Sequence, residues 1–324
     1  MPEKRKLAHL AMSLDPRTQG KGSDLDNIRL PYDALFETSE AELTMHRKIA
    51  GIEVQFPLMF GALTGGIQAA AAFNTALRSL AAQHGLAMCL GSIRAALKNP
   101  ELIPTYGSGQ VDALFANIGI SEIVHQTYSV DEIVECCKNL GASGLMVHLN
   151  GLQEWVQDEG DHHVCCPLSI LERFVTTFPM PVFIKEVGSG IGGQCAQRLA
   201  SLPIAGIETA SLGGTSWVMV EALRRQKPIS EANLQALNQL GYSLTESIRD
   251  CRNALGPNRT LIASGGIRNA VDIVKCCTLG ADLVAIAQPL YAAWHEGGQV
   301  ALASFVDEWI AIVQLVSRCT CGIK

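Results

Sequence analysis

The 324-residue chain has no continuous apolar run approaching the ~20 residues a membrane helix needs. Its first ten residues, MPEKRKLAHL, lack the apolar core of a signal peptide. A cytoplasmic protein without a membrane partner is therefore expected. Basic charge is not in excess either: 25 Lys and Arg stand against 31 Asp and Glu, a net charge of −6. Nucleic acid, which favours a basic face, is not an expected partner. No low-complexity segment, long linker or shift in composition divides the chain. With no secretion signal, the eleven cysteines read as reduced thiols, and most sit in apolar settings such as VECCKNL and VKCCTLG.

What the chain does have is a core-forming composition, 48% hydrophobic and 17% charged, in a length that fits one α/β barrel or two smaller domains. Eight short apolar runs ending in small or polar residues recur along it: FPLMFGAL, GLAMCLGS, ALFANIG, GLMVHLN, VFIKEVG, GIETAS, TLIASGG and DLVAIAQ. Longer segments with helical periodicity lie between them, such as AAAAFNTALRSLAAQH and NAVDIVKCCTLGA. Near-continuous apolar strands alternating with amphipathic helices imply a parallel sheet with helices outside it. Eight units close a (β/α)8 TIM barrel, so the fold class is α/β. Residues 1–50 are expected to form an N-terminal arm or cap, and 51–324 a single barrel domain. The stretch 230–259 is long for one crossover and is expected to hold two helices.

The segment IKEVGSGIGG imitates a dinucleotide fingerprint, with Gly188, Gly190 and Gly193 in G-x-G-x-x-G spacing and Glu208 twenty positions after the first. Such a fingerprint belongs on the first βα turn of its sheet, whereas these glycines follow the fifth strand. Lys185 is more telling. A lysine inside PVFIKEV is costly to bury without an anionic partner, either a neighbouring carboxylate or a ligand at the barrel mouth. DHHVCC brings His162, His163, Cys165 and Cys166 within five residues, too close together to surround one tetrahedral zinc easily. The pair Cys319 and Cys321 has no partner motif.

If the barrel closes, polar residues at strand C-termini gather round one cavity: Thr64, Ser92, Arg94, Asn117, His148, Asn150, Lys185, Glu208, Ser264 and Arg268. Ser92 and Ser264 are also candidate helix caps. Gly265 and Gly266 in SGGIR, with AIAQP and SLGGTSW nearby, suit a phosphate held by loop amides and the hydroxyls of Thr215 and Ser216. Glu154 suits Mg²⁺, while Asp158 and Glu159 read as a solvated acidic turn. Arg5, in KRK, is expected either in a loose basic terminus or closing over a diphosphate.

Taken together, RKLAH, LTGG, ANIG, HLNGLQE, QDEGD, KEVG, GGTSW and ASGGIRN resemble the type 2, FMN-dependent isopentenyl diphosphate isomerases, over nearly the whole chain. The resemblance implies interconversion of isopentenyl and dimethylallyl diphosphate in isoprenoid biosynthesis, using reduced FMN and Mg²⁺, with NADPH or NADH as reductant. Arg5, Lys6, His9, Ser92, Arg94, His148 and Asn150 would hold the substrate diphosphate and its surroundings. Gln153 and His148 would serve catalysis, with Gln153 beside the alkene, and Glu154 would bind Mg²⁺. Ala62, Leu63, Thr64, Ser92 and Asn117 would line the flavin ring and Lys185 its pyrimidine edge. Thr215, Gly265, Gly266, Arg268, Ala287 and Gln288 would hold the FMN phosphate and its neighbourhood. A homo-oligomer, tetramer or octamer, is implied as well. Departures from the family pattern fall at Tyr32, Phe36, Leu63, Ile93, Trp155, Glu208 and Ala210, and Ile93 is expected to adjoin the substrate. The alternatives are an FMN-dependent 2-hydroxy acid oxidase or dehydrogenase, and a divergent flavin-binding paralogue with another substrate. The oxidase needs a histidine base after the seventh strand, where ASGGIR stands.

Overall fold

The computed structural model describes residues 2–36, 45–162 and 168–320. The eight apolar runs form eight parallel strands that close into a barrel: β3 (Leu58–Phe60), β4 (Ala87–Cys89), β5 (Leu114–Gly119), β6 (Gly144–His148), β7 (Val182–Lys185), β8 (Gly206–Glu208), β9 (Thr260–Ala263) and β10 (Leu283–Ile286). An antiparallel hairpin, β1 (Arg47–Ile49) and β2 (Ile52–Val54), precedes them and crosses residue 50.

Side chains alternate across each strand, and this splits the core in two. Met59, Cys89, Phe115, Met146, Phe183, Ile262 and Leu283 point inward and form an inner cluster. Leu58, Met88, Leu114, Leu145, Ile184, Leu261 and Val284 point outward under the helices. Phe115 and Phe183 meet edge to face inside the barrel, their ring centres 5.2 Å apart. Ile49 and Val54 of the hairpin join the inner cluster, so the hairpin plugs one end of the barrel.

The predicted helices occur as Ala71–His84 and Ala270–Thr278, and the long crossover holds two, Glu231–Asn238 and Leu244–Leu255. Gly85 ends the first helix in left-handed backbone at φ 60°, a conformation glycine adopts without a Cβ penalty. The capping serines are elsewhere than expected. Asn269, not Ser264, caps Ala270–Thr278, and Ser92 caps no helix because Ile93 holds the N-cap of Arg94–Lys98.

The helix Gln288–Cys319 is long and apolar enough to cross a membrane by length and composition. Scattered Gln, Glu and Asp residues interrupt its apolar run, which hides it from a search for continuous hydrophobicity. It bends at Gly297 and Gly298, and Leu302, Val306, Trp309 and Val313 are buried on one stripe in the outer core.

Candidate active site

Strand parity builds the site. Two residues beyond an inward apolar side chain, each strand places its next inward residue at the mouth. Phe115 is thus followed by Asn117, Met146 by His148, Phe183 by Lys185 and Ile262 by Ser264. Register brings neighbours level: Gly119 with His148, His148 with Lys185, and Lys185 with Glu208. Together they line a cavity of about 270 Å³ at the C-terminal ends of the strands, the end at which barrel enzymes carry out their chemistry.

The candidate residues from the sequence line this cavity except Ile93 and Ser216, the hydroxyl of Ser216 instead capping the helix Trp217–Arg224 and meeting Asn238. Arg5, Lys6 and His9 come from the helix Pro2–Met12, and Ala62, Leu63, Thr64, Ser92 and Arg94 from the loops after β3 and β4. Asn117, His148, Asn150, Gln153 and Glu154 follow on β5, β6 and the helix Gly151–Val156. Lys185, Thr215, Gly265, Gly266, Arg268, Ala287 and Gln288 complete the ring.

Two regions of the cavity are built for anions. At the mouth Arg5, Lys6 and Arg94 converge. Burial first, then the charges of Arg94 and Arg5, push the Lys6 ammonium down to about 8. Lys6 donates to the carbonyl of Gly65, and Arg94 pairs with Glu122 at 2.9 Å. At the far side the loops after β8 and β9 interlock. A Cβ on Gly265 would sit 2.2 Å from the Ser211 carbonyl oxygen, and one on Gly214 would sit 2.9 Å from the Gly266 amide. Gly265 and Gly266 have φ of 109° and 75°, open only to residues without a side chain. Arg268 closes this pocket, donating to Gln288 at 2.8 Å and to Gln19 at 3.0 Å. A glycine cradle beside an arginine is a fitting place for a phosphate.

Between these regions lies a polar floor. Lys185 is 6% exposed and pairs with Glu208 at 3.2 Å. Both sequence alternatives for Lys185 therefore meet in one residue, since it has a carboxylate partner and faces the cavity. The other oxygen of Glu208 and the hydroxyl of Ser211 are buried without a hydrogen-bond partner among the described residues. Unsatisfied buried polar atoms at a cavity wall fit a ligand that brings hydrogen bonds, as a polyol-bearing flavin would.

His148 accompanies Asn117, with Nδ1 2.7 Å from Oδ1. Burial, then Lys185 and Arg94, push it down to about 3, so it is a neutral imidazole at physiological pH. Gln153 donates to Glu221 at 2.8 Å. Glu221 also meets His9 at 2.9 Å and Arg224. Burial alone would raise the Glu221 carboxyl, but His9, Gln153 and Arg224 together hold it below its ordinary value. Sequence reasoning missed Glu221. The glutamate in WVMVEALRR looks like an ordinary helix residue with Arg224 one turn on, and its partners Gln153 and His9 lie 68 and more positions away.

Glu154 accepts from Asn150 at 2.8 Å and from the Asp161 amide at 2.9 Å. Glu154 lines the cavity, and a cavity-lining carboxylate fits Mg²⁺, which takes carboxylate oxygens. Among the described residues no group of three or more His, Cys, Asp or Glu is placed to hold a metal. His162 stacks on Trp155 with ring centres 5.0 Å apart, while His163, Cys165 and Cys166 lie outside the described residues, as does Cys321.

Two expectations are corrected. The turn at 158–159 is not simply solvated: Glu159 pairs with Arg224 at 2.6 Å, and Asp158 accepts from the Gln226 amide at 2.8 Å. Ile93 does not adjoin the cavity, because its side chain is fully buried in the outer core. Tyr32 and Phe36, two departures from the family pattern, stand apart from the cavity, touching each other while Tyr32 pairs with Thr320. The false fingerprint has its own explanation. The Glu186 carboxylate accepts from the amides of Val187, Gly188, Ser189 and Gly190, so this chain fills its own anion nest.

Comparison with known proteins agrees with this geometry. The family model for FMN-dependent dehydrogenases matches residues 142–314. The isopentenyl-diphosphate delta-isomerase of Stutzerimonas stutzeri is 35% identical over 98% of this chain and 92% of its own length. Those of Mycobacterium marinum and Nostoc are 34% and 31% identical, covering 95% and 98% of this chain and 89% and 91% of their own. Among solved structures, mandelate oxidase with (S)-2-phenylpropionate superposes with a TM-score of 0.65 at 15% identity, covering 98% of this chain and 94% of its own. At so low an identity that likeness is one of fold. The relatives decide the matter: the chain belongs to the type 2, FMN-dependent isopentenyl-diphosphate delta-isomerase family.

Proposed function

We propose that the protein interconverts isopentenyl and dimethylallyl diphosphate, with reduced FMN and Mg²⁺ bound and NADPH or NADH as the source of reduction. One observation carries this reading. A single cavity has two separate anion sites, the glycine cradle with Arg268 and the Arg5–Lys6–Arg94 cluster, joined by a floor centred on Lys185. A flavin phosphate and an anionic substrate need two such sites, and three cations converging at the mouth match the charge of a diphosphate better than the single charge of a 2-hydroxy acid carboxylate. The oxidase alternative also wants a basic histidine after β9, where Ser264–Arg268 stand, and His148 is too weak a base.

Reduced FMN, when bound, would supply an acid and base at its ring for moving the allylic proton. The chain's own residues do the rest. Arg5, Lys6 and Arg94 would hold the diphosphate, and Glu154 would hold Mg²⁺, which would supply charge neutralisation there. Glu221 fixes the amide of Gln153, and neutral His148 offers a hydrogen bond without a competing charge. Leu10, Leu63 and Trp217 give the mouth an apolar wall under the N-terminal helix, which keeps water from a carbocation-like state.

Purified protein is expected to be yellow and to release FMN on denaturation. Under anaerobic conditions with reduced FMN and Mg²⁺ it should convert isopentenyl diphosphate to the dimethylallyl isomer, and chelation of Mg²⁺ should stop this. FMN-loaded protein that makes no product would reject the isomerase reading and favour a paralogue with another substrate.

A further inference from the structure

Glu208 is the most unusual polar residue of the cavity floor. It is 2% exposed and stands level with Lys185 in the β7–β8 register. One of its oxygens accepts from Ser264 at 2.8 Å and faces the Lys185 ammonium at 3.2 Å. The other has no hydrogen-bond partner among the described residues. Burying a carboxylate this deeply is costly unless its charge is used. Hydrogen bonding alone does not require that charge, because a neutral amide of the same shape also accepts from Ser264 and, less strongly, from Lys185.

The charges near it are lopsided. Lys185 and Arg268 face the same cavity as the mouth cluster, and Glu208 is the carboxylate in direct contact with Lys185. A cation beside a flavin favours the reduced, anionic ring over the neutral oxidised one. A carboxylate 3.2 Å from that cation cancels part of its field.

From this arrangement we infer that Glu208 sets the redox balance of the bound flavin, acting through Lys185. By holding the lysine in place and offsetting its charge, it keeps reduced FMN from being stabilised as strongly as Lys185 alone would allow. Glu208 is thus a positioning and charge-balancing residue. The inference rests on the FMN reading above.

The test is the ratio of dissociation constants for oxidised and reduced FMN, read as the midpoint potential of the reconstituted protein. In Glu208→Gln the ratio is expected to rise at least tenfold in favour of reduced FMN. For a two-electron couple that is about 30 mV upward. Glu208→Asp keeps the charge and should stay within about twofold of the unaltered protein. Lys185→Met should move the ratio the opposite way, and the double variant Lys185→Met with Glu208→Gln should fall between the single variants. A Glu208→Gln protein with an unchanged or lowered potential overturns the inference. So does one that no longer binds reduced FMN, because the inference requires that binding to tighten. A shift in Glu208→Asp as large as in Glu208→Gln would show that shape rather than charge is at work, and would overturn it too. If the unaltered protein binds no FMN, the cofactor reading itself fails, which is a distinct result.

Discussion

Lys6 shows how a single side chain carries the character of the mouth. Burial and two neighbouring guanidinium groups hold its ammonium near 8, so the free protein keeps Lys6 charged at neutral pH only narrowly. An unfolded chain would hold that proton up to the ordinary lysine value. Between about pH 8 and that value the unfolded state therefore binds more protons, and burial of Lys6 costs stability below this window and ceases to do so above it. A diphosphate reverses the situation by favouring the charged form. We therefore expect kcat/KM for isopentenyl diphosphate to fall above about pH 8, by up to about tenfold per unit, as free Lys6 loses its proton. Lys6→Met should abolish that break while lowering kcat/KM throughout; a break that persists in the variant would assign it to another group. Gln153 provides a second residue-level prediction. Held by buried Glu221, it should be dispensable for FMN binding. Gln153→Ala is expected to retain the flavin spectrum and lose at least about a hundredfold in kcat, the usual scale for a positioned proton-transfer group. Unchanged turnover would remove Gln153 from the chemistry.

Among the elements, the loops after β8 and β9 are where backbone conformation matters most. Gly266 has φ of 75°, and a Cβ there would lie 2.8 Å from the Gly213 carbonyl carbon and 2.9 Å from the Ser23 amide. Left-handed backbone alone costs a residue with a side chain about 1–2 kcal/mol, and the collision adds to that. Gly266→Ala should weaken FMN binding by at least about tenfold, read by fluorescence titration of the apoprotein. Unaltered affinity would place the phosphate elsewhere. These elements also show what a sequence can disclose. Strand ends are legible because a short apolar run that stops at a polar residue has one meaning in a parallel barrel. SGGIR is legible because adjacent glycines exceed what a turn requires. The Glu186 nest and the Glu221 network are not legible, since each depends on geometry or partners that linear spacing does not encode. Ile93 misled for a related reason: it sits next to Ser92 and Arg94 in the chain, yet the turn sends its side chain into the outer core.

At the scale of the whole molecule, two parts outside the barrel strands complete the site. The hairpin Arg47–Val54 seals one end through Ile49 and Val54. The helix Pro2–Met12 covers the other, tied down by Lys6 at Gly65 and by His9 at Glu221. Residues 18–22 reinforce this cover, because Gly20 and Gly22 donate to Gly214 and Gly213, beside the glycine cradle. Both proposed anion sites therefore depend on the segment before the barrel. Proton transfer inside that closed space can be followed most directly by incubating isopentenyl diphosphate with the reduced, Mg²⁺-loaded protein in D₂O and recording proton NMR spectra. Deuterium should enter the allylic positions as the dimethylallyl signals grow, and both should stop when FMN is left oxidised. A spectrum that stays unchanged in the presence of fully reduced, FMN-loaded protein would contradict the assignment of this cavity to alkene isomerisation.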